Sequence, residues 1–86
     1  MKYDLHKSFI KAYRKLPMKL KKTVEEKLTL FCDDPFVQEL NNHALSGKYQ
    51  GHRSINITGD YRAIYKVISE EEVIFVVLGT HSQLYG

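Results

Sequence analysis

Eighty-six residues, 43% of them hydrophobic and 12% aromatic, suffice for one packed domain spanning residues 1–86 and exclude an intrinsically disordered chain. The longest apolar run, Val73 to Leu78, is strand-sized and too short to cross a bilayer; Met1-Lys2-Tyr3-Asp4 lacks the apolar core of a secretion signal, and the single Cys32 cannot form an intramolecular bridge, so a cytoplasmic protein without a membrane partner is expected. The net charge of +3 hides an asymmetry, with eight Lys/Arg against one acid in residues 1–22 and five against nine in residues 23–86; this predicts one basic face, suited to an anionic partner or simply to solvent.

Residues 1–6 read as a short strand, Tyr3 and Leu5 alternating with Lys2, Asp4 and His6. Ser8 is expected to cap a helix whose apolar face is Phe9, Tyr13 and Leu16, with Lys11, Arg14 and Lys15 between them. Pro17 disfavours helical geometry at Leu16, which ends this helix and opens a second, striped by Leu20, Val24, Leu28 and Phe31 and stopped by Asp33-Asp34-Pro35. Cys32, in this apolar run, reads as a buried, inert thiol. From Leu45 onward the period changes to two. Arg53 to Ile57 alternates, Thr58-Gly59-Asp60 is a turn, Tyr61 to Ile68 suits a pleated sheet, and Ser69 to Glu72 is a charged hairpin connection. Val73 to Leu78 reads as a central strand covered on both faces, and Gln83 to Gly86 as a short tail. A strand, a helical hairpin and then three or four antiparallel strands define an α+β fold with the helices on one face of the sheet.

His43, His52 and His81 each sit at a strand edge beside glycine or polar residues, and neither helix contains a histidine. Histidine both accepts and donates protons near neutral pH, and strand ends are where a rigid sheet presents side chains to a substrate. Cleaving RNA with side chains alone requires a base for the 2′-hydroxyl, a cation for the phosphoryl oxygens and an acid for the departing 5′-oxygen. His43 and His81 can divide the acid and base roles, Arg53 and Arg62 can grip a phosphate with a planar fork, and Tyr61, Tyr65 and Tyr85 can stack on bases. Each has a plainer reading: His43 as a turn ligand, His52 as an exposed strand end, Asp60 as a turn former, Tyr65 as core. His6 is assigned no role. No histidine pair at i, i+4, no cysteine pair and no Gly-rich phosphate loop occurs, so neither a metal nor a cofactor is expected.

Three blocks carry a resemblance. Asn42-His43-Ala44-Leu45-Ser46-Gly47-Lys48-Tyr49 followed by Gly51-His52-Arg53-Ser54-Ile55, then Gly59-Asp60-Tyr61-Arg62-Ala63-Ile64-Tyr65-Lys66, then Leu78-Gly79-Thr80-His81-Ser82-Gln83-Leu84-Tyr85, resemble in order and spacing the RelE/ParE toxin superfamily, closest to its YafQ-like branch. With the helical hairpin they cover nearly the whole chain. The resemblance implies a type II toxin: a ribosome-dependent endoribonuclease acting on translated mRNA, held inactive by a cognate antitoxin protein. It also implies a catalytic set of His43, Asp60, Arg62, His81 and Tyr85, with Arg62 holding phosphate. We add His52, Arg53 and Tyr61 as substrate-binding candidates, and Lys11, Arg14, Lys15 and Lys19 on the basic hairpin as contacts to ribosomal RNA. Two positions depart from the pattern, Ser54 where relatives carry an acid and Asn56 where some carry a further histidine.

Two other functions remain open at this level. The same fold in ParE-type toxins poisons DNA gyrase without cutting RNA, although strand-edge histidines are of no use to a protein that only binds. Alternatively, the basic hairpin docks an acidic protein and the chain is an interaction module.

Overall fold

The computed structural model describes residues 1–85. Strand β1 (Lys2–Leu5) turns Tyr3 and Leu5 inward and leaves Lys2 and Asp4 exposed, as alternation requires. Helix α1 (Lys7–Arg14) follows, and its cap is His6 rather than Ser8: the His6 Nδ1 accepts the Ser8 backbone N–H at 3.1 Å. Ser8 instead lies inside the helix and donates its hydroxyl to the Val76 carbonyl. Helix α2 (Met18–Asp33) buries Val24, Leu28 and Phe31, spaced four and three residues apart on one face. Tyr13 donates its hydroxyl to the Glu25 carboxylate, bracing α1 against α2, and that hydrogen bond, with lesser help from burial, pushes the phenol pKa up. Cys32 is a free thiol, half-buried rather than enclosed.

The remaining elements are β2 (His43–Ala44), β3 (His52–Asn56), β4 (Tyr61–Ser69), β5 (Glu72–Thr80) and the short helix α3 (His81–Tyr85). The five strands form one sheet in the order β1-β5-β4-β3-β2, parallel between β1 and β5 and antiparallel elsewhere. The α+β expectation therefore holds, and the middle strand is β4. The short tail expected over residues 83–86 begins within α3; Gly86, its last residue, lies outside the described residues.

Both helices contribute to one core with the sheet. Phe9, Phe31 and Phe75 are fully buried, and Phe75 is the hub, its ring centroid 5.8 Å from Phe9, 5.2 Å from Phe31 and 5.3 Å from Tyr65. A buried phenylalanine of this kind contributes about 3–5 kcal/mol, judged by its truncation to alanine.

Strand β5 departs from its expected form. It is not covered equally on both faces: Val73, Phe75 and Leu78 are buried, while Ile74, Val76 and Val77 are only half-buried. A bulge also interrupts its alternation. Phe75 pairs with Tyr65 but Val77 pairs with Ile64, so Val76 is an extra residue that shifts the alternation by one position. The Ser8 hydroxyl takes up the carbonyl of that residue. Beyond the bulge, Leu78 stays in the core and Gly79 faces the other side of the sheet, opposite Arg62.

Candidate active site

Strand parity sorts the candidates. On β4, Tyr61, Ala63 and Tyr65 belong to the core side beneath the helices, so Arg62 and Ile64 point to the opposite face. On β3, Ile55 lies in the core, which puts Ser54 and Asn56 on the face shared with Arg62. Register completes the arrangement: His43 is opposite Ser54, and Asn56 is opposite Arg62. His81 opens α3 directly after β5, with its backbone N–H donated to the Asp60 carbonyl at 2.9 Å. An open groove of about 430 Å³ results, lined by Asn41, His43, Ala44, Leu45, Ser46, Arg62, His81 and Tyr85.

The His43 and Arg62 side chains are each held in a defined way. The His43 Nδ1 lies 2.8 Å from the Asn41 carbonyl, which can only accept, so Nδ1 carries the proton and a neutral ring keeps its lone pair on Nε2. Asn41 adopts a left-handed conformation with φ 46°, one that asparagine tolerates better than most residues, and this aims its carbonyl at the imidazole. The Arg62 Nη1 donates to the carbonyls of Thr58, Gly59 and Tyr61 at 2.9, 3.2 and 3.1 Å. Those bonds fix the guanidinium plane while leaving Nε and Nη2 as donors for an anion.

His81 and Tyr85 are placed by reciprocal capping. The Thr80 hydroxyl accepts the Gln83 N–H at 3.2 Å, and the Gln83 side-chain oxygen accepts the Thr80 N–H at 2.8 Å. A Cβ at Gly79 would come within 3.0 Å of that Gln83 oxygen, so glycine is the residue that lets the cap close over the strand end. The five-residue helix then brings the Tyr85 ring against the His81 ring, centroids 4.8 Å apart.

Four of the expected catalytic residues, His43, Arg62, His81 and Tyr85, thus share the groove. The fifth, Asp60, is exposed in the turn and is not among the lining residues; its backbone carbonyl anchors His81. None of the three substrate-binding candidates lines the groove. His52 points its Nδ1 to the Gln50 carbonyl at 3.3 Å and packs against Tyr49. Arg53 donates Nε to Asn42 at 2.8 Å and lies 5.3 Å over the Phe36 ring, bracing the connection after α2. Tyr61 faces the helices beside Lys11, Lys15 and Gln83. Lys11, Arg14 and Lys15, with Lys7 and Ile10, line a shallow groove on α1, to which Lys19 does not contribute. Among the described residues, no three His, Cys, Asp or Glu side chains cluster as metal ligands.

Ser54 and Asn56, the two positions expected to depart from the resembled pattern, also stand out physically. Ser54 is 0% exposed and its hydroxyl has no partner; the Asn56 Oδ1 is likewise buried and unpaired. An unpaired buried hydroxyl costs about 1–3 kcal/mol. Replacing Ser54 by alanine is therefore expected to raise stability by about 1 kcal/mol, read as a higher midpoint in urea denaturation at unchanged slope.

Comparison with known proteins identifies the family. The model of the family described as "Bacterial toxin of type II toxin-antitoxin system, YafQ" matches residues 1–86. The chain belongs to the YafQ toxin family. It is similar to the crystal structure of YafQ from E. coli strain BL21(DE3), with 24% identity over 98% of this chain and 97% of that one and a TM-score of 0.78. A solution structure of the Helicobacter pylori protein HP0894 is 31% identical over 99% of both chains, with a TM-score of 0.71. The archaeal RelE–RelB complex from Pyrococcus horikoshii OT3 supplies a further fold match, 22% identical over 95% of this chain and 96% of that one, with a TM-score of 0.76. No curated protein matches the sequence. As a YafQ-family member the chain is the toxin of a type II toxin–antitoxin system, and no helix among its described residues is long and apolar enough to cross a membrane.

Proposed function

We propose that this toxin is a ribosome-dependent endoribonuclease that cleaves translated mRNA in the cytoplasm by histidine acid–base chemistry. The observation that carries this reading is the meeting of His43, Arg62 and His81 in one groove, although 19 residues separate the second from each of the others. His43, its Nδ1 proton committed to Asn41, removes the proton of a 2′-hydroxyl through Nε2. The 2′-oxygen attacks the adjacent phosphorus, and the phosphorus–O5′ bond breaks. Arg62 steadies the charge on the phosphoryl oxygens through Nε and Nη2, and His81 protonates the departing O5′. The products are a 2′,3′-cyclic phosphate and a 5′-hydroxyl end. Asp60 supports the acid by holding the His81 backbone, and Tyr85 by limiting the swing of its ring.

The test is a reconstituted translation reaction on purified ribosomes, run beside a gyrase supercoiling assay. Cleavage of the message within the translated frame with gyrase unaffected supports the nuclease; gyrase inhibition with an intact message supports a ParE-type poison and removes this proposal.

The natural partner is an antitoxin, as RelB is for RelE in the archaeal complex. A segment that folds on binding suits a surface as small as the groove. The basic face of α1 and the start of α2 we assign to ribosomal RNA. Converting Lys11, Lys15 and Lys19 to Glu changes six units of charge on exposed positions, so ribosome binding should fall at least 10-fold while the thermal midpoint stays within a few degrees. Co-sedimentation with ribosomes reads the first and circular dichroism the second; unchanged sedimentation would remove the docking role.

A further inference from the structure

The rings of His81 and Tyr85 in the groove continue into two others, Tyr49 and His52, that the proposed chemistry does not use. The His81 and Tyr85 centroids are 4.8 Å apart, Tyr85 and Tyr49 are 6.1 Å apart at an interplanar angle of 88°, and Tyr49 and His52 are 6.2 Å apart. Tyr49 is half-buried and stands outside the hydrophobic core, so packing of the fold does not account for it. It sits on a short helical turn, Gly47–Tyr49, immediately after the groove-lining Leu45 and Ser46. Gly47 at φ 63° and Gly51 at φ 87° bracket it, both in a conformation that L side chains avoid, and Gly47 directly follows the groove-lining Ser46. Lys48 places its ammonium 5.5 Å from the centre of the Tyr49 ring.

Resting on the nuclease reading, we propose that Tyr49 and Lys48 form a second nucleotide subsite, where the base next to the cleaved linkage packs against Tyr49 and the following phosphate meets Lys48. Two features fit a single-stranded RNA here. Tyr85 is 41% exposed, so its ring is open to solvent beside the reacting groups, and its edge-to-face contact with Tyr49 carries the row of rings on from His81 to the Lys48 ammonium. A ring platform with an adjacent cation binds any base by its face and the backbone by its charge. The subsite therefore adds affinity for the strand with little preference for sequence.

The chain has no tryptophan, so Tyr49→Trp introduces a lone indole whose emission reports contact with a base. The variant is titrated with a short single-stranded oligoribonucleotide carrying 2′-O-methyl groups, which block cleavage, with Phe36→Trp as a control outside the groove. Quenching at position 49 and not at position 36 is expected. In the ribosome assay, Tyr49→Leu, which keeps apolar bulk, should raise KM about 10-fold with kcat within about twofold, the mark of lost uniform binding. Emission that does not move at position 49, or a KM within twofold of the wild type, overturns the subsite. If the wild type cleaves no message, emission alone decides: quenching preserves an RNA platform on a protein that is not a nuclease, and its absence removes both readings.

Discussion

Replacing His81 by alanine is expected to lower message cleavage by about 10²–10⁴-fold, the usual contribution of one positioned acid or base. The reason is local. His81 is exposed, its backbone bond to Asp60 survives the change, and its ring packs against the partly exposed Tyr85, so the fold does not depend on the imidazole. Loss of activity would therefore report lost chemistry rather than lost structure. In cells, induced expression of the wild type should arrest growth and create new mRNA 5′ ends within translated frames, and the alanine variant should do neither. A thermal midpoint unchanged from wild type completes the comparison. Persistent arrest with the same 5′ ends would show that His81 moves no proton.

Changing Arg62 to alanine should cost about 10²–10³-fold in kcat, comparable to removing one preorganised donor from an anionic transition state. Arg62→Lys separates charge from geometry. The guanidinium uses one nitrogen to bind three turn carbonyls and keeps two more for the phosphate, a division that a single ammonium cannot reproduce. Lysine should therefore recover only a minor part of the lost rate, although it preserves the charge. Single-turnover cleavage on ribosomes measures this directly; full recovery by lysine would reduce Arg62 to a simple positive charge.

Most of the frame was legible in the chain because its periods are clean. The Phe9 and Val24–Leu28–Phe31 stripes, the alternation through Arg53 to Ile57 and the Thr58-Gly59-Asp60 turn are all local signals, and each element stands where its signal lies. From sequence, strand β5 looks doubly covered because one extra residue, Val76, erases its alternation; a bulge shows itself only against the partner strand. The cap of α1 was misplaced for a similar reason, since Ser8 is drawn to a carbonyl 68 residues away and His6 takes its place. By contrast, the Thr80-x-x-Gln83 spacing that starts α3 is a visible capping box, concealed by the brevity of the helix it begins.

The site was legible unevenly. No local pattern joins His43 to His81; their meeting depends on β2 and β5 lying in one sheet with β3 and β4 between them, and only the family resemblance anticipated it. Parity, however, already separated neighbours. Tyr61 and Arg62 are consecutive on one strand and must face opposite sides, as must Arg53 and Ser54, so Tyr61 and Arg53 could not join Arg62 in the groove. Asn41, which lines the groove and holds the His43 ring, carried only the weak signal of an Asn-Asn pair.

The nature of the RNA ends tests the central claim most directly. A message cut on the ribosome by this toxin should yield a 5′-hydroxyl on the downstream fragment and a cyclic or 3′-terminal phosphate upstream, and a single 2′-deoxy substitution at the cleaved nucleotide should abolish the cut. Fragments bearing 5′-phosphates, or undiminished cleavage of the deoxy-substituted message, would contradict attack by the 2′-oxygen and with it the division of labour between His43 and His81.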